Sequence, residues 1–206
     1  VRDTELKEQI SEAFQANYRV YGARKIWREL NRQGHRVARC TVERLMRELG
    51  IAGAVRGKRV ITTLPGGQAE RAPDLLDRDF VAAAPNRCWV ADFTHVKTLS
   101  GVVYVAFVVD TFSRRIVGWS AATVKETVFV LDALEMAVWQ RDRDQHPVRP
   151  GRRPWKSLAQ VELATAEWTD WYNHRRLHGE IGHVPPVEYE ANYYMESTKP
   201  QATTTI

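Results

Sequence analysis

Apolar residues recur every three or four positions through three stretches at the start of the chain. Leu6, Ile10, Ala13 and Phe14 form one stripe, Ala23, Ile26, Trp27 and Leu30 a second, and Val42, Leu45, Met46 and Leu49 a third. This spacing predicts amphipathic helices over 3–16, 22–33 and 38–49. Asp3 or Thr4 suits the cap of the first, and Gly34 and Gly50 suit the ends of the other two. Two such helices joined by the short glycine-bearing turn Gly34–Val37 read as a helix-turn-helix.

The pattern then lapses. Residues 51–84 hold Thr62-Thr63, Pro65-Gly66-Gly67 and the Ala82–Ala84 run without sustained periodicity, as a linker would, with Leu75, Leu76 and Phe80 as one short docking turn. From Cys88 the period shortens. Trp89–Val96, Val102–Val109 and Arg115–Ser120 read as strands, and their short connections predict an antiparallel meander. The middle strand is apolar almost throughout, which suits burial on both faces. Thr123 to Glu126 fits a capping box for a helix ending near Arg141, with Val128, Phe129, Val130, Leu131, Leu134, Met136, Val138 and Trp139 placed nearly all round it. Residues 142–154 are charged and proline-bearing. Ser157 to Gln160 opens a further predicted helix with the stripe Leu158, Val161, Thr165, Trp168 and Tyr172. Gly179 is expected to end it, and Pro185-Pro186 to prevent helix nearby. The polar tail 196–206 is expected to be disordered.

Charge changes the picture. The chain of 206 residues carries a net +5, and the stretch 19–59 alone holds twelve Lys and Arg against three acids, net +9. A stripe so basic attracts phosphate backbones by counterion release. The same residues on a helical bundle that binds nothing would make a solvated face. On the helix-turn-helix reading the third helix enters the major groove, with Arg39, Thr41, Arg44 and Arg47 facing bases and phosphates, while Arg24, Lys25 and Arg28 grip the backbone. The longest apolar run is eight residues, Val102–Val109, too short to span a membrane, and no apolar leader pattern opens the sequence. Cys40 and Cys88 fit neither a zinc site nor a disulfide framework, so the expected compartment is the cytoplasm.

Several motifs resemble a known family. Asn86-Arg87-Cys88-Trp89-Val90-Ala91-Asp92-Phe93-Thr94 resembles the N-x-x-W-x-x-D-x-T opening of the retroviral-integrase-like core. Asp110-x-x-Ser113-Arg114-Arg115-Ile116-Val117-Gly118-Trp119 resembles the next strand pair of that core. Trp171-Tyr172-Asn173-x-x-Arg176-x-His178, with Gly182 and Pro186-x-Glu188-Tyr189, resembles its C-terminal end. The head, from Tyr21-Gly22-Ala23-Arg24-Lys25-Ile26 to Arg44-Leu45-Met46, is similar to that of OrfB-type transposases of the IS-three insertion-sequence family. The resemblance implies an all-α helix-turn-helix domain followed by an α/β, RNase H-like core of integrase type. It implies a D-D-E triad holding two Mg2+ ions, with Asp92 as first acid and metal ligand, and double-stranded DNA at element ends as partner.

The family's second aspartate, on a fourth strand, and its glutamate, on a later helix, have no matching motif here, so the core reads as internally truncated. Asp110 suits a turn cap, Asp132 and Glu135 a solvated helix face, and Glu162, Glu167 and Asp170 the tail helix. His174, His178 and His183 lack the acidic or cysteine company of a zinc site. The expected organisation is a head at 1–58, a linker at 59–84, a truncated core at 85–145 and the C-terminal part of that core at 146–195. Three functions fit: an end-binding transposase with defective catalysis; an active one completed by acids from another chain, in a homo-oligomer or with an intact transposase subunit; or a DNA-binding regulator that competes with an intact transposase. Loss of the fourth strand would also leave Trp89–Val96 as an open sheet edge.

Overall fold

The computed structural model describes residues 2–55, 81–142 and 158–197. The chain divides into two compact units, Val1–Leu75 and Leu76–Ile206.

The first unit contains α1 (Arg2–Ala16), α2 (Ala23–Arg32) and α3 (Arg39–Glu48). Their apolar stripes meet in a core of Leu6, Ile10, Ala13, Ile26, Leu30, Val42, Leu45 and Met46, joined by the fully buried Tyr21. Each fully buried Ile, Leu, Val or Met side chain contributes about 1.5–3 kcal/mol relative to exposure. The glycine signals act as read. Gly34 and Gly50 take φ +90 and +66, and the residues after them donate back to Leu30 and Met46 oxygens at 2.9 Å in both cases. These are the paired carbonyl bonds that close a helix through a left-handed residue. The turn between α2 and α3 covers residues 33–38, and Trp27 Nε1 pins it by donating to the Val37 carbonyl at 2.8 Å. Asp3 and Thr4 lie inside α1 instead of capping it, because the helix already runs from Arg2. The start of the presumed linker also belongs to this unit: Ala54 N donates to Val20 O at 3.2 Å, and a Cβ on Gly53 would strike the Gly22 backbone. The docking turn expected at Leu75, Leu76 and Phe80 lies outside the described residues.

The second unit is built on a three-stranded antiparallel meander: β1 (Trp89–Thr98), β2 (Gly101–Asp110) and β3 (Ile116–Ala122), in that order. As its composition predicts, β2 is covered on both sides. Ala106 and Val108 face α4 (Thr127–Asp142), where they meet Phe129, Ala133 and Ala137. Val103 and Val105 face Val161 of α5 (Leu158–His174). A bulge at Val108/Val109 shifts the β2–β3 register.

Four expectations need correction. The helix after β3 starts at Thr127, four residues past the expected cap Thr123, because β3 stays paired through Ala122 and residues 123–126 carry the chain off the sheet. Gly179 does not end α5, which stops at His174; it opens a 3-10 turn instead. Pro185-Pro186 starts a helix, α6 (Pro186–Ser197), since proline suits the first helical position, where its missing N–H has no intrahelical partner to lose. The expected disordered tail therefore begins inside α6, and 198–206 lie outside the described residues, as does the expected cap Ser157.

Gly118 sits where α4 presses on the sheet: a Cβ there would collide with the Ala133 carbonyl and lie 2.8 Å from Ala137 N. Gly118→Ala should therefore lower stability by about 1–3 kcal/mol through overpacking. A denaturant midpoint that does not move would contradict this close approach.

Candidate functional site

The basic residues of the head separate into two groups. On α2, Arg24, Arg28 and Arg32 recur every fourth position and are exposed along one row. Arg28 lies over the Trp27 ring at 4.8 Å and Lys25 over Tyr21 at 5.1 Å, so each cation is steadied by an aromatic face. On α3, Arg47 and Cys40 are exposed and Thr41 is half-buried. Among the described residues, Arg47 and Arg24 make no ion pair.

The other group is engaged within the protein. Arg44 binds Asp3 of α1 at 2.9 Å and Glu48 at 2.7 Å, and Lys7 closes the cluster on Glu48 at 2.9 Å. Asp3 first, then Glu48, holds the Arg44 guanidinium above its ordinary pKa. Arg39 is paired with Glu43 at 3.0 Å. Of the arginines on α3, Arg47 thus offers its guanidinium free, whereas Arg44 ties α3 to α1. Periodicity could not separate the two, because Asp3 lies 41 residues away in sequence.

In the second unit, Asp92 is exposed near the middle of β1, opposite Phe107 of β2. One of its oxygens accepts the Phe93 N–H at 2.8 Å. Asp110 is fully buried and caps its turn: it accepts from Asn86 N at 2.6 Å and from Phe112 N and Ser113 N at 3.0 Å each, with Ser113 Oγ a further 3.2 Å neighbour. Asp132, Glu135 and Glu162 are exposed, and Asp170 pairs with His174 on its own helix at 3.0 Å. Among the described residues no group of three or more His, Cys, Asp or Glu could hold a metal ion. Among the described residues Asp92 therefore belongs to no ligand group that fits a two-metal centre, whose hard cations each require a shell of oxygen ligands.

The sequence reading missed a buried charged network. Glu190 of α6, only 3% exposed, accepts from Ser113 Oγ at 2.6 Å, from Arg115 at 2.8 Å, and from both terminal nitrogens of Arg141 at 2.6 and 2.9 Å. Burial pushes its carboxyl up, but Arg141, Ser113 and Arg115 outweigh this and hold it below the usual range. Nearby, Asn173 of α5 replaces a strand partner for Ile116, accepting its N–H at 2.9 Å and donating to its carbonyl at 2.8 Å. Asn173 belongs to a motif visible in the sequence, whereas Glu190 lies just beyond one.

No helix among the described residues is long and apolar enough to cross a membrane. Residues 1–59 match the family model of an HTH-like domain, and residues 82–175 that of an integrase core domain. A Mycobacterium tuberculosis protein named as a transposase for insertion sequence element IS986/IS6110 is 42% identical, covering 98% of this chain and 92% of the relative. The transposase for IS629 from Shigella sonnei is 42% identical over 94% of this chain and 81% of its own length. The transposase for IS3411 from Escherichia coli is 54% identical over 68% of this chain and 58% of its own length. No solved structure matches. The first alignment runs over 258 positions against a chain of 206 residues, so at least 52 of its positions have no counterpart here. The IS3411 alignment, 140 positions for 68% of 206 residues, is essentially free of gaps. Any window of that length contains residues 67–140, so those residues lie within the part aligned to the IS3411 relative.

Proposed function

The chain belongs to the insertion-sequence transposases of the IS-three family, and from this we propose that it binds element-end DNA through its helical head but does not cut or join it. The observation that carries this reading is the isolation of Asp92. It lies exposed on β1 outside any group of three or more potential metal ligands among the described residues, while the aligned relative extends over at least 52 further positions. We read those positions as the stretch that would carry the fourth strand, the second aspartate and the glutamate of an RNase H-like core. The family works with divalent metal, Mg2+ in our reading, and the acids present here do not supply a two-metal site.

For the head, the reading assigns phosphate contacts to Arg24, Lys25 and Arg28 of α2, and base contacts to Arg47 and Thr41 of α3. Arg47→Ala should then weaken binding to end DNA by about 1–3 kcal/mol if it reads a base. Arg24→Ala should weaken binding to every sequence alike and reduce the salt slope by about one unit. Arg44→Ala should act mainly through the α1–α3 ion cluster, shifting the melt of the head more than its base preference. Gel-shift titrations of the full chain at several salt concentrations separate these outcomes. Absence of binding to duplex DNA even at low salt would overturn the assignment. A chain that occupies ends without processing them would also compete with an intact relative, which end-processing assays with both proteins would reveal.

A further inference from the structure

The outer edge of β1 has the properties of a protein interface. The two-residue turn Leu99-Ser100 joins β1 to β2, so Thr98 and Gly101 form the first hydrogen-bonded pair of the hairpin, and pairing then alternates. Even-numbered residues of β1 direct their backbone groups toward β2. Thr111 N donating to Cys88 O at 3.0 Å continues the same alternation at the far end. The backbone N–H and C=O groups of Ala91, Phe93, His95 and Lys97 therefore point away from the sheet. Among the described residues no strand pairs with them.

Proteins that keep such an edge solvated blunt it with proline, a bulge, short length or several charges. β1 has ten residues, no proline, no register shift against β2, and a single lysine near its end. Phe93, 40% exposed, rests edge-on against Phe129 at 5.9 Å and presents an apolar ring beside the open backbone.

We propose that this edge pairs antiparallel with the same edge of a second copy of the chain, giving a continuous six-stranded sheet across a two-fold axis. The edge is self-complementary. A two-fold perpendicular to the sheet keeps each face on its own side, so odd residues oppose odd ones and even oppose even. Centring the axis on Phe93 stacks two aromatic rings and sets Asp92 against Thr94 of the second copy, with Val90 against Val96 of the second copy. Centring it on Asp92 would instead put two carboxylates face to face, which is destabilising. A second copy is the fitting occupant because its edge carries, in the matching order, the same outward backbone groups of Ala91, His95 and Lys97, which no strand among the described residues meets. The Phe93 N–H, held in the single chain by the Asp92 carboxylate at 2.8 Å, can exchange that partner for the second copy's carbonyl. This inference does not depend on DNA binding.

The test is sedimentation of the full chain over a range of concentrations, free of DNA, with three variants. Wild type should double its mass as concentration rises. His95→Pro removes an N–H that points outward, so it should abolish the dimer while leaving the melt of the sheet nearly unchanged. Thr94→Pro removes one that faces β2 and should unfold the sheet. Phe93→Cys should form a disulfide-linked dimer on oxidation, since hydrogen-bonded antiparallel pairs lie within disulfide reach. Hydrogen exchange on the wild-type dimer provides a readout that needs no variant: the amides of Ala91 and His95, which oppose each other across the axis, should be as protected as those of Asp92 and Thr94. A wild-type monomer at the highest soluble concentration, a dimer that survives His95→Pro, or rapid exchange at Ala91 and His95 would each overturn the proposal.

Discussion

Glu190→Ala should cost the second unit about 3–5 kcal/mol of folding stability, because it strands charge that is already out of water. Glu190 receives Arg141 through two hydrogen bonds and Arg115 through one, and the Arg141 side chain is only 13% exposed. Without Glu190, Arg141 keeps just the longer approach to Asp110 at 3.8 Å, and Ser113 Oγ loses its 2.6 Å acceptor. Glu190→Gln keeps most of the shape and one acceptor, so it should cost less. The pH dependence has a definite sign. The folded carboxyl lies below its ordinary value, since its cationic and hydroxyl partners outweigh the burial that pushes it up. Its contribution is thus complete above the unfolded pKa of about 4.3 and fades as pH falls toward the lower folded value. Wild type and Glu190→Gln should differ most near neutral pH and converge in acid. Urea midpoints followed by tryptophan fluorescence across that range check both statements. Equal midpoints for wild type and Glu190→Ala at neutral pH would show that the network does not hold α6 to the sheet.

That network also shows where sequence reading stops. The three helices of the head, their glycine ends and the three-strand meander all rest on periods of a few residues, and they stand close to where the apolar pattern puts them. Glu190 meets Ser113 across 77 positions and Arg115 across 75, and Arg44 meets Asp3 across 41. Such pairs depend on how whole elements pack, which local spacing does not encode. Pro186 was misread for a related reason: proline opposes a helix from its interior and favours one from its first turn, and only the fold says which applies. The motif around Asp92 was legible as part of an integrase core, which the family model matches over residues 82–175. That Arg44 and Arg39 are bound to acids of their own domain was not.

Purified chain in magnesium should leave element-end DNA uncut and unjoined. Two-metal cleavage needs carboxylates that bridge and fix both cations, each with near-octahedral oxygen ligation. Asp92 supplies one. Asp110 is no substitute: its oxygens already accept from Asn86, Phe112 and Ser113, and it pairs with Trp89 at the end of the hairpin, roughly 10 Å along the strand from Asp92. Moving it would break the turn that carries Ser113 and Arg115 to Glu190. The absence of product becomes informative when paired with a restoration. Inserting the relative's additional stretch between Asp142 and Leu158 should return the strand beside β1 and its acids, and with them magnesium-dependent nicking. In that restored chain Asp92→Asn should remove the activity, while in the present chain it should change nothing but the surface charge of β1. Nicking by the present chain that vanishes with Asp92→Asn would mean that acids outside the described residues, or on another copy, complete the site after all.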